Sequence, residues 1–89
     1  MGIMVRIPSP LRQYTEQLAE IVLEGNTVRE VLESFKIRFP DAGSKFFAPR
    51  TERYMHLYLN DKDIRTLNSL DTPVAEKDVL SIIFAIAGG

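Results

Sequence analysis

Val79-Leu80-Ser81-Ile82-Ile83-Phe84-Ala85-Ile86 is the most hydrophobic run of this chain, with Ser81 as its one polar residue. A strand that is apolar along its length is covered on both faces, or covered on one and partly offered to a partner on the other. Such a strand belongs at the centre of a sheet. Any fold for this chain therefore has to flank residues 79–86 with other strands and lay an apolar surface against at least one of their faces.

The flanking elements are legible from period and punctuation. Ile3-Met4-Val5-Arg6-Ile7 puts Ile3, Val5 and Ile7 on one face of a short half-buried strand, stopped by Pro8 and Pro10. A loop with Leu11, Tyr14 and Thr15 leads to a second strand over 17–23, with Leu18 and Ile21 as its anchors, before Gly25-Asn26 turns the chain. Thr27-Val28-Arg29-Glu30 is a capping box: Thr27 accepts from the Glu30 amide and the Glu30 side chain reaches back. Val28, Val31, Leu32, Phe35 and Phe39 then form one helical stripe, with Glu30, Glu33, Lys36 and Arg38 largely off it. Phe39-Pro40 ends the helix, because a residue before proline is pushed out of the α region.

Residues 41–54 are the least regular part, with Phe46 and Phe47 anchoring a short helical turn and residues 49–53 an exposed loop. Met55-His56-Leu57-Tyr58-Leu59 alternates again, and Asn60-Asp61-Lys62-Asp63 turns the chain into a short strand at Ile64-Arg65. Leu67 to Lys77 is a connection with Leu70 and Val74 as apolar pegs. The order is β, β, α, loop, β, short β, β, with the last strand beside the first. That is a β-grasp arrangement, an α+β roll whose mixed sheet of about four to five strands carries one main helix across one face.

Composition narrows the function classes. A chain of 89 residues makes one small domain, here residues 1–87, with 88–89 as a reactive tail. No cysteine is present, so disulfides, thiolate metal sites and a cysteine nucleophile are excluded, which fits the cytoplasm. Eleven basic against twelve acidic residues give no reason to propose nucleic acid. No apolar stretch has membrane-spanning length, and the N-terminus lacks the features of a signal peptide. The sequence offers no nucleophile–base set, no metal cluster and no glycine-rich phosphate loop, so the chain is not read as an enzyme. It is expected to be a monomer on its own.

The chain closes on Ala87-Gly88-Gly89. Two residues without a Cβ can extend into a narrow channel that bulkier residues would block, and a free carboxylate can be activated with ATP. A frayed end is the alternative reading.

Three segments carry a resemblance. Tyr58-Leu59-Asn60-Asp61-Lys62-Asp63-Ile64-Arg65 resembles the strand-turn-strand of ubiquitin-like sulfur carriers. Leu70-Asp71-Thr72-Pro73-Val74-Ala75-Glu76-Lys77-Asp78-Val79 resembles their entry to the last strand, and Ala85-Ile86-Ala87-Gly88-Gly89 resembles their end. The match is to the MoaD/ThiS family, over essentially the whole chain, and within it to the CysO-type carriers used for cysteine synthesis. Ile7-Pro8-Ser9-Pro10-Leu11-Arg12 resembles that branch too. Lys77 stands where the family usually has glycine, so that turn must avoid positive φ or tolerate strain, and Phe84 stands where the family often has proline.

The resemblance implies that the Gly89 carboxylate is adenylated by an E1-like enzyme of the MoeB/ThiF type and converted to a thiocarboxylate. No cofactor is bound; ATP is consumed by that partner. A cysteine-synthase-like enzyme is the implied acceptor, with a JAMM-type metalloprotease as a further partner. The alternatives are the small subunit of molybdopterin synthase, seated in its large subunit, and a protein modifier conjugated through Gly89.

Ala87, Gly88 and Gly89 would be the tail that enters partner active sites. Strand alternation places His56 and Tyr58 opposite Leu57 and Leu59, and Ser81 and Ile83 opposite Leu80 and Ile82. Tyr58 and Ile83 thus form a candidate docking patch, with His56, Phe84 and Ile86 as further candidates; scattered surface apolarity is the alternative. Asp61 and Asp63 are read as turn chemistry rather than a metal pair. Arg50 and Arg53 either belong to a solvated loop or grip phosphate or an acidic partner.

Overall fold

The computed structural model describes residues 2–48, 51 and 53–84. The strands are β1 (Gly2–Arg6), β2 (Glu20–Glu24), β3 (Met55–Leu59), β4 (Lys62–Asp63) and β5 (Val79–Phe84). The helices are α1 (Ser9–Arg12), α2 (Val28–Arg38) and α3 (Pro40–Phe46), with 3-10 turns at Ile64–Thr66 and Ser69–Asp71.

The sheet order is β2-β1-β5-β3-β4. β5 is central, parallel to β1 and antiparallel to β3, as its apolar run requires. Parallel neighbours cannot be joined by a tight hairpin, so the chain between β1 and β5 has to cross over. That crossover delivers α2 to one face, giving the β-grasp roll. Beneath the helix, Ile3, Val5, Ile21, Leu23, Leu57, Leu59, Leu80 and Ile82 meet Val28, Val31, Leu32, Phe35 and Phe39, all buried. The stripe on α2 is therefore the core stripe, while Ile37 on the back of the same helix is 81% exposed.

The α2 cap departs from the expected box in one bond. The Glu30 amide donates to Thr27 Oγ1 at 3.2 Å, but the Glu30 carboxylate accepts from the Asn26 amide at 2.8 Å, one residue further back.

Four local expectations are corrected. β2 begins at Glu20, and its anchors are Ile21 and Leu23; Leu18 is 37% exposed. Leu18 and Ile21 are three apart, and residues of a strand share a face only at even spacing. Glu16 and Gln17 take positive φ (56° and 65°), and the buried Thr15 hydroxyl donates to the Leu18 carbonyl at 3.1 Å, so this stretch is a turn.

Residues 9–12 form a helical turn with Leu11 buried, not a loop. After Phe39 the chain starts a second helix, α3, with Pro40 in its first turn, where the missing N–H costs nothing. Ile64-Arg65 lies in a 3-10 turn, and the short strand is Lys62–Asp63.

Candidate functional site

The sheet face away from α2 gathers most of the expected docking residues. His56 lies opposite Ile83 and Tyr58 opposite Ser81. Ile83 is 45% exposed, while His56 and Tyr58 are half-buried. The face continues onto β1 and β2, where Met4 pairs with Val22, which is 61% exposed. The alternation of Ile3, Val5 and Ile7 already pointed Met4 outward, so that extension was readable. Val22 was missed because the register of β2 was set on Leu18.

Phe84 is placed differently. It shares parity with Leu80 and Ile82 and packs edge-on against Phe46 of α3 (ring centroids 5.3 Å) and near Tyr54 (6.4 Å). Phe84 and Ile83 therefore serve opposite faces of the sheet. Ile86, Ala87, Gly88 and Gly89, together with Arg50, lie outside the described residues.

The start of β5 is tied to the β3–β4 hairpin by Asn60. Its backbone N–H donates to the Val79 carbonyl at 2.9 Å, and its Oδ1 accepts from the Val79 N–H at 2.9 Å. Its Nδ2 donates to Asp78 Oδ1 at 2.8 Å. Asn60 and Asp61 take φ of 52° and 72°, the left-handed pair of a tight hairpin turn, which asparagine and aspartate tolerate best among residues with a Cβ. One residue thus closes the hairpin and clamps the strand that leads to the tail. The asparagine signalled a turn in the sequence, but its bond to Asp78 is eighteen residues away and carries no local pattern.

Lys77 is absent from the positive-φ residues, so the glycine-to-lysine departure brings no backbone strain. The turn is closed by Asp78 instead, which accepts from the Ala75 N–H at 2.7 Å and donates its own N–H to the Ala75 carbonyl at 2.9 Å.

Asp63 caps the 3-10 turn through the Arg65 N–H (2.9 Å) and meets the Arg65 guanidinium at 2.6 Å. The guanidinium hydrogen bonds first, then the backbone N–H, lower its carboxyl from 3.8 to about 2, and His56 adds a Coulombic contribution. The charged form is the stabilising one, so its contribution is complete above pH 3.8 and is lost as pH falls toward 2. Asp63→Asn is expected to lower the urea midpoint slightly at pH 7, since Arg65 is solvent-screened, and the gap to wild type closes by about pH 2. A gap unchanged across that interval contradicts the assignment. Asp61 and Asp63 behave as turn residues, and among the described residues no cluster of three or more His, Cys, Asp or Glu could hold a metal ion. No described helix is long and apolar enough to cross a membrane.

A model of the ThiS family matches residues 5–89. The chain belongs to the ThiS family. Among relatives of this family member, the sulfur carrier protein CysO of Mycobacterium bovis is 28% identical over 93 aligned positions, covering all of both chains. In the solved Amycolatopsis orientalis BexX/CysO complex, one chain is 30% identical and superposes with a TM-score of 0.85, over 98% of this chain and 99% of that one. The small archaeal modifier protein 1 of Methanosarcina acetivorans shares the fold, with a TM-score of 0.84 at 24% identity over 99% and 96% of the two chains. These likenesses confirm the family and the β-grasp fold of this chain.

Proposed function

We propose that this chain is a sulfur carrier for cysteine synthesis, loaded at the Gly89 carboxylate. The observation that carries the reading is a family match that runs through Gly89, behind a central strand clamped at its start by Asn60. The chemistry needs little from the chain itself. The carboxylate attacks the α-phosphorus of ATP on an E1-like enzyme of the MoeB/ThiF type, and pyrophosphate leaves. Hydrosulfide then adds to the acyl carbon of the mixed anhydride, and AMP leaves. The thiocarboxylate sulfur forms a bond to an electrophilic carbon of the amino-acid precursor held by a cysteine-synthase-like acceptor, which leaves the product acyl-linked to Gly89, and a JAMM-type metalloprotease hydrolyses that link, freeing the product and restoring the Gly89 carboxylate. The chain is the carried substrate of these enzymes, not the catalyst, and binds no cofactor of its own. With no cysteine to oxidise or protect, we place it in the cytoplasm.

Incubation with the adenylating enzyme of the same organism, ATP and sulfide is expected to raise the intact mass by the exchange of one oxygen for sulfur, localised to Gly89 by fragmentation. A mass that never changes, with an enzyme shown to consume ATP, overturns the proposal.

Docking is assigned to the face carrying His56, Tyr58 and Ile83. A buried apolar anchor at an interface typically carries a disproportionate share of the binding energy. Ile83→Asp is expected to slow loading about tenfold at sub-saturating enzyme. Its stability cost is about 1 kcal/mol, because the position is half-exposed and aspartate is a poor strand residue. Unchanged loading kinetics would remove Ile83 from the docking surface.

A further inference from the structure

We infer that four rings at the root of the tail, Tyr14, Phe46, Phe84 and Tyr54, with Lys45 and Arg53 at their two ends, are a second contact surface for the adenylating enzyme, which meets them with carboxylates beside the channel that takes the tail. This surface rests on the sulfur-carrier reading. Phe84 is the last residue of β5 and pairs with Met55, the first of β3. Its ring meets Phe46, the last residue of α3, at 5.3 Å and Tyr54 at 6.4 Å. Phe46 in turn meets Tyr14 at 5.5 Å. Lys45 stands over the Tyr14 ring at 5.9 Å, and Arg53 over the Tyr54 ring at 5.2 Å. These contacts make one unbroken line with a cation at each end.

Two properties set this line apart from a closed core. All four rings are only half-buried, whereas Phe35 on α2 is fully buried. Aromatic residues and arginine are the types that protein interfaces favour. The two cations are exposed, and neither has a carboxylate partner among the described residues. Asp41, one turn before Lys45 on α3, makes no ion pair with it. Asp63, which borders a hollow of about 260 Å³ together with Arg53 and His56, is held by Arg65 at 2.6 Å. Arg6, Arg29 and Lys36 also have carboxylates, at 3.7, 3.2 and 3.5 Å. The positive charge at the two ends of the ring line is therefore left for a partner to complement, and carboxylates do so.

Five residues follow Phe84, and five residues span at most about 17 Å. An enzyme that adenylates Gly89 therefore brings the mouth of its channel within that distance of Phe84, beside Lys45 and Arg53. Arg53 shares its hollow with His56, so the surface continues around the end of the sheet onto the face that carries Tyr58 and Ile83. Ile83 and Phe84 project to opposite faces, so the two surfaces hold the root of the tail from both sides. Exposed charges at the rim of an interface act on encounter and its salt dependence. Lys45 and Arg53 are thus binding residues and take no part at the carboxyl carbon.

The test is the loading reaction of the full chain with the adenylating enzyme of the same organism, ATP and sulfide, read by intact mass over a range of carrier concentrations at about 0.05 and 0.5 M salt. The double variant Lys45→Glu/Arg53→Glu is expected to raise KM about tenfold at the lower salt with kcat unchanged, and the gap to wild type to narrow to about twofold at the higher. Lys62→Glu/Lys77→Glu changes the net charge equally at the other end of the sheet, where β3 ends and β5 begins, and is expected to leave KM within about twofold. All four side chains are exposed, so urea midpoints are expected to match wild type. Should the first pair unfold early, Lys45→Gln/Arg53→Gln removes the charges without reversing them and is expected to raise KM about threefold. Equal KM values for the two glutamate pairs overturn the inference, as do a loss confined to kcat and a gap that salt does not narrow. A wild-type chain that never gains sulfur overturns the sulfur-carrier reading and this surface with it. Wild-type loading that neither pair disturbs overturns this surface alone.

Discussion

Removal of Gly88 and Gly89 is expected to abolish ATP-dependent sulfur loading while leaving the unfolding transition where it was. Loading is a reaction of one carboxyl carbon, and truncation places that carbon on Ala87, two residues short of its position in the intact chain. A misplacement of even an ångström at a reacting centre costs about a hundredfold in rate, and two missing residues displace it by roughly 7 Å. The side chain at the new terminus would also have to pass where glycine passes without a Cβ. Stability is expected to be untouched for a separate reason: among the described residues the buried core runs from Ile3 to Ile82, and the loss of two glycines removes no side chain. Intact mass and a urea curve measured on the same preparation decide the matter. A truncated chain that still gains sulfur moves the chemistry away from Gly89. One that unfolds early gives the tail a structural role.

Phe35→Ala is expected to produce the largest loss of stability of any single truncation on α2, about 3–5 kcal/mol. Phe35 is fully buried and sits between two rings, Phe39 at 5.5 Å and Phe47 at 5.7 Å. It therefore joins α2 to the segment after α3 as well as to the sheet, and the hole left by alanine opens where three elements meet. Against a total of about 5–15 kcal/mol for a natural domain, that loss is enough to populate unfolded chain at physiological temperature. Ile37→Ala, on the exposed back of the same helix, is the matched control and is expected to stay within about 0.5 kcal/mol. Urea denaturation of the two variants separates burial from helix propensity. Equal losses would mean that the stripe on α2 does not define the core.

The stripe was readable because Val28, Val31, Leu32, Phe35 and Phe39 repeat at the helix's own period, so that their shared face is a local property. The same holds for Leu57 and Leu59 on β3 and for Leu80 and Ile82 on β5. Leu18 misled because one apolar residue outside the alternation shifted the apparent start of β2, while the positive φ of Glu16 and Gln17 had no glycine to announce it. α3 did carry a signal, proline in a first turn, but that signal was read only as the end of the helix before it.

For the site, sequence alone determined which residues are chemically fit for the work: a Gly-Gly end that can be activated, an apolar strand leading to it, and alternation that turns His56, Tyr58 and Ile83 to one face. Tertiary structure decided what those residues meet. It set Phe84 against Phe46 on the opposite side from Ile83 and tied Asn60 to Asp78. The division has one physical cause. Periodicity and turn chemistry act over a few neighbouring residues and leave their mark in order and spacing, whereas ring packing and long-range hydrogen bonds depend on which distant segments the crossover brings side by side.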